Sequence, residues 1–199
     1  MQIRTVLTLL GVVVLLSSIF LQGTLAATRG KEDEAKKKAK IQRGAYLVNA
    51  GGCNDCHSPK IFTPKGPQPD PTRLLSGYPS STKLPEIPTG VIGPNRWGGL
   101  TTNDLTAWVG PWGVSFSANL TPDTETGLGG WTEEMFIKTT RTGKHLGVGR
   151  EILPPMPWYD LAKLNDADLR AMFAYLRTLK PIKNAVPPPI PPTSEKSKD

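Results

Sequence analysis

The chain has 199 residues and a formal charge of +7, from 24 Lys and Arg against 17 Asp and Glu. Both cysteines and one of the two histidines fall within a single five-residue stretch, so there is no second pair of ligands and only one histidine elsewhere, which argues against a structural zinc site with its paired spacings. The basic residues are scattered without aromatic interleaving, which argues against nucleic acid, and the length suits one domain with its own core.

Arg4 is the only charge before Arg29, and Val6 to Leu21 is almost purely apolar, broken by Thr8, Ser17 and Ser18. Thr24-Leu25-Ala26 places small residues where a signal peptidase reads. Residues 1–26 are expected to form a cleaved signal peptide, or a hydrophobic helix anchoring the chain through residues 6–27; both put the remainder outside the cytoplasm. Lys31 to Lys40 is a charge run in which Glu32/Lys36, Asp33/Lys37 and Glu34/Lys38 are i,i+4 pairs with the acid N-terminal. A solvated helical lead-in fits it best; docking to acidic lipid or protein is the sharper alternative.

The first helix is predicted over about Glu32 to Asn49, stopped by Gly51-Gly52. Directly after it, Cys53-Asn54-Asp55-Cys56-His57 reads C-x-x-C-H, the attachment signature of a c-type haem. Two thiols at this spacing can each reach a vinyl group of one porphyrin, and the adjacent imidazole can reach the iron. A thioredoxin-type motif would follow an apolar strand, which is missing here, and a plain disulfide is the remaining alternative.

Ser58 to Gly113 is dense in Gly and Pro and reads as a long loop, with short strands at most. Trp97, Trp108 and Trp112 argue that it is ordered. A second helix is expected from the cap Thr132 to Gly143, with Met135, Phe136 and Thr139 on one face. The third should start at Asn165 and end at Pro181, with Leu169, Met172, Phe173, Leu176 and Leu179 as core packed on the first helix. Pro181 to Pro192 favours polyproline II, and Ser194 to Asp199 should be disordered.

A haem iron with one His needs a sixth ligand or an open face. Outside the leader the candidates are Met135, Met156, Met172 and His145. Prolines on both sides of Met156 block a helix and hold it extended, suited to presenting a thioether. Met135 and Met172 fall in helical patterns where core packing is the default. Met156 is therefore the favoured ligand, with His145 or an open site as alternatives.

These residues resemble those of class I c-type cytochromes, especially the cytochrome domains of bacterial membrane-bound alcohol and aldehyde dehydrogenases. The matching segments are Arg43 to Leu47 leading into Cys53 to His57, Ala118 to Asp123, Thr126 to Trp131, Arg141 to Gly143, Pro154 to Trp158 and Ala174 to Arg177. The stretch between His57 and Met156 is far longer than in small cytochromes c, and Ser80 to Trp108 matches poorly. The resemblance implies an all-α cytochrome c fold with long Gly/Pro-rich loops, and one haem c held covalently by Cys53 and Cys56 with His57 and Met156 on the iron. It places Asn119, Trp131 and Arg141 near the haem, Arg141 beside a propionate and Trp131 lining the pocket. The expected organisation is a leader over 1–26, a lead-in over 27–40, a cytochrome c domain over 41–186 and a proline-rich disordered tail over 187–199. The implied function is a periplasmic monohaem electron carrier, soluble or tethered to the inner membrane. Its partners would be a dehydrogenase or quinol-oxidising complex and a terminal oxidase. A haem enzyme or gas sensor with an open sixth site is the alternative, and His145 is then the only available distal base.

Overall fold

The computed structural model describes residues 28–192. The chain divides into two units, Met1–Lys40 and Ile41–Asp199. In the first, residues 28–40 are helical and almost entirely exposed, and Glu32 and Lys36 pair at 2.7 Å. The expected N-terminal hydrophobic helix lies outside the described residues. Among the described residues no helix is long and apolar enough to cross a membrane.

The second unit is not all-α. Helix α1 covers residues 28–50 and therefore enters this unit at its C-terminal part; α2 (Cys53–His57), α3 (Glu133–Thr142), α4 (Trp158–Leu161) and α5 (Asp166–Leu176) follow. Between α2 and α3 the chain builds two antiparallel sheets. One is the hairpin of β1 (Lys60–Thr63) and β2 (Gly66–Pro69); the other is β3 (Leu100–Thr101), β4 (Ala107–Gly110) and β5 (Gly113–Phe116) in that order. The all-α expectation fails in this stretch. The strands are two to four residues long and carry Gly and Pro, so the alternation that marks a longer strand has no room to show. Of the tryptophans there, Trp108 and Trp112 are half-buried, while Trp97 is exposed and does not order the loop by burial.

The core joins Val48 of α1, Leu75, Leu128, and Leu169, Met172, Phe173 and Leu176 of α5. Each fully buried aliphatic side chain contributes about 1.5–3 kcal/mol. α5 starts as expected: the Asn165 side chain accepts from the Asp168 N–H. The α1–α5 crossing depends on Gly44, where a Cβ would strike the Ala171 carbonyl and the Tyr175 side chain. Beside it, Arg43 Nε donates to Asp168 Oδ1 at 2.8 Å. α3 is capped by Thr132, whose hydroxyl accepts from Met135 N–H, and its buried residues are Thr139 and Thr140 with Phe136 packed on the core. Met135 is exposed and does not belong to that face.

Beyond α5 the proline-rich segment is pinned to the domain. Asn184 is buried and donates to the Ser76 and Tyr78 carbonyls at 2.7 and 2.8 Å. Ile190 and Val114 exchange two backbone hydrogen bonds, at 2.8 and 3.0 Å. Residues 193–199 lie outside the described part of the chain.

Candidate functional site

Gly52, at φ 67°, turns the chain sharply between α1 and α2, a conformation that glycine adopts without penalty. α2 then puts Cys53 and Cys56 three residues apart, hence on neighbouring positions of one helical face. Both thiols are free and half-buried, and Cys53 packs against the core. Burial pushes the Cys53 thiol up to about 11 and raises Cys56 as well, so both stay protonated at neutral pH. The last carbonyls of α2 are satisfied by Lys60, whose Nζ donates to Asn54 O (3.1 Å), Asp55 O (2.8 Å) and Ser58 O (2.5 Å).

His57 closes α2 and is buried. Its Nδ1 lies 2.8 Å from the Ala118 carbonyl. A carbonyl only accepts, so Nδ1 carries the proton and Nε2 keeps the lone pair. Burial lowers the pKa of the ring, which keeps it neutral. Ring rotation is further limited because the surrounding backbone is tied. Gly77 N–H donates to His57 O at 2.7 Å, and Leu75 N–H donates to the Ser58 hydroxyl at 2.8 Å. The loop that supplies these donors is organised by Asp70, which accepts from Thr72 N–H, Thr72 Oγ1 and Arg73 Nε.

The other residues singled out in the sequence fall into different places. Asn119 is buried and fully engaged: its carbonyl accepts from Thr121 N–H and Oγ1, and its amide donates to Ile182 O and Thr126 Oγ1. It fixes the loop whose Ala118 carbonyl orients His57. Trp131 packs on the core and meets the His145 ring edge-on, centroids 5.2 Å apart. His145 itself is exposed. Arg141 donates to the Ala162 carbonyl and to Asp166 Oδ1, joining α3 to the start of α5. Met156 is half-buried, next to the N-terminus of α4. The Trp158 ring packs where a Cβ on Gly143 would sit. Met172 is buried in the core.

Ser58, Ser115 and the Ala118 carbonyl were not legible as site residues. A main-chain acceptor has no side-chain signature, and the two serines are distinguished only by tertiary contacts. The donor set fits a covalent haem: two free thiols on one helical face and a neutral, oriented imidazole with its Nε2 lone pair available. The Thr139 hydroxyl, buried without a hydrogen-bond partner among the described residues, is a polar group that a bound partner could satisfy. A cleft of about 470 Å³ lined by Lys60, Phe62, Arg73, Tyr78 and Asp104 is a separate feature, since Cys53, Cys56, His57 and Met156 do not line it.

No family model matches the chain. It is 31% identical over 153 residues to the gluconate 2-dehydrogenase cytochrome c subunit of Pantoea cypripedii, covering 77% of this chain and 26% of that one. It is 30% identical over 146 residues to the cytochrome c subunit of the quinone-dependent alcohol dehydrogenase of Gluconobacter oxydans, covering 73% and 23%. A nicotinate dehydrogenase subunit of Pseudomonas putida matches at 29% over 149 residues, 75% of this chain and 9% of that protein. The chain is similar to cytochrome c subunits of bacterial dehydrogenases. It spans about a quarter or less of the length of each of these relatives.

Proposed function

We propose that this chain is a monohaem cytochrome c that carries single electrons, with Cys53 and Cys56 attaching the haem and His57 and Met156 as iron ligands. The observation that carries the reading is His57: buried, neutral, fixed through Nδ1 to the Ala118 carbonyl, on the same short helix as two free thiols. An N–H donated to a backbone carbonyl is how proteins orient a metal-binding imidazole and raise its basicity. Among the methionines, Met172 is enclosed by the core and Met135 lies exposed on α3, while Met156 sits on a proline-stiffened segment and is half-buried.

A haem bound there supplies one-electron iron chemistry, with the potential set by ligands, burial and hydrogen bonding. The protein holds the group, excludes water and keeps the imidazole from rotating. Arg141 is committed to Ala162 and Asp166, which speaks against the propionate role the resemblance gave it. The exposed His145 is poorly placed as a fixed distal base, which favours a carrier over a haem enzyme or gas sensor. Similarity to dehydrogenase cytochrome subunits supports a dehydrogenase as electron donor. The proposed carrier passes its electron to a respiratory acceptor after export to the periplasm, the latter resting on the apolar run of residues 6–21.

Mass spectrometry of the exported protein tests the attachment. The denatured wild type should retain the mass of one haem, and the double variant Cys53→Ala/Cys56→Ala should lose it. A wild type without bound haem, or a double variant that keeps it through denaturation, would refute the reading.

A further inference from the structure

We propose that Ser115 is a positioning residue for Met156, and that β5 sets the relation between the two iron ligands. This rests on the haem reading above. Pro154, Pro155 and Pro157 have no N–H, so the methionine segment offers one backbone donor, at Met156, and is held mainly through its carbonyls. Ser115 Oγ donates to the Pro154 carbonyl at 2.5 Å. Ser115 is buried, and its oxygen also receives Trp112 Nε1–H at 3.3 Å. The indole can only donate, so the serine proton is left for Pro154, and the hydroxyl has one orientation.

Three residues further along, the Ala118 carbonyl receives the Nδ1 proton of His57. One stretch, 115–118, therefore grips both ligand-bearing segments. That stretch is itself braced: Ser115 stands opposite Trp108 in β4, Val114 pairs with Ile190, and Ser117 N–H donates to Thr106 O at 2.9 Å. Loss of the Ser115 hydroxyl frees the methionine segment while leaving the His57 contact in place.

The test uses the holoprotein in the ferric state, with exogenous imidazole competing for the methionine position. Thr and Val have nearly the same shape, so S115T and S115V differ chiefly in the hydroxyl; S115A and M156A are measured alongside. A lost buried hydrogen bond corresponds to about a tenfold change in an equilibrium. S115V and S115A should therefore bind imidazole about tenfold more tightly than wild type. S115T should stay close to wild type, with haem content and melting temperature similar in S115T and S115V. Equal affinity in S115T and S115V, with M156A much tighter than both, would overturn the positioning role and leave the ligand assignment standing. M156A indistinguishable from wild type would overturn the methionine assignment, and the positioning role with it.

Discussion

His57 is fixed in one tautomer by its surroundings, with Nε2 left as the acceptor. Its proton is committed to Ala118, and burial keeps the ring neutral. The loop behind it depends on Asp70. Hydrogen bonds from Thr72 and Arg73 hold that carboxyl at a pKa of about 2, below its ordinary value near 3.8. The charged form is the one the fold favours, so its contribution is complete above about pH 4 and fades as the pH falls toward 2. With allowance for solvent screening, Asp70→Asn should lose about 1–2 kcal/mol at neutral pH and nothing further on acidification to pH 2 from this site. Urea melts of the two proteins between pH 7 and pH 2 check this; parallel stability curves would show that Asp70 is not linked to folding. At this scale the C-x-x-C-H spacing singled out Cys53, Cys56 and His57, and the structure sets all three on one short helix. The sequence was silent about Asp70, Ser115 and Ala118, whose roles arise from folding the loops together.

At the level of elements, α1 and α5 form the part of the core that pattern alone could find. Leu169, Met172, Phe173 and Leu176 recur at helical spacing, and all four are buried. The caps at Thr132 and Asn165 were equally readable, because each side chain serves a nearby backbone N–H. The crossing itself was hidden in Gly44, whose missing side chain admits the Ala171 carbonyl. Gly44→Val should cost at least ~3 kcal/mol, since backbone cannot move aside as a flexible side chain can. Thermal unfolding followed by far-UV circular dichroism reads this directly. A melting temperature within a degree or two of wild type would mean that the helices do not cross at this position. The strands were the element missed. Two to four residues with Gly and Pro among them have no usable period, and they are held by register with neighbours distant in sequence.

On the scale of the molecule, the long insertion between His57 and Met156 is a brace, made of two small sheets and closed by the C-terminal segment through Asn184 and Ile190. Family resemblance pointed to a haem domain but described an all-α one. Only β3 and the start of β4 fall within Ser80 to Trp108, where the resemblance is weakest; the β1–β2 hairpin precedes that stretch and β5 follows it. In the proposed carrier His57 and Met156 would both hold the iron, leaving no open position for an added ligand. That closure is read by the absorption spectrum of the reduced holoprotein, wild type and Met156→Ala, before and after carbon monoxide. A low-spin spectrum is expected, which carbon monoxide leaves unchanged in wild type and shifts promptly in Met156→Ala. Prompt binding by wild type, with the same rate in the variant, would contradict a closed iron.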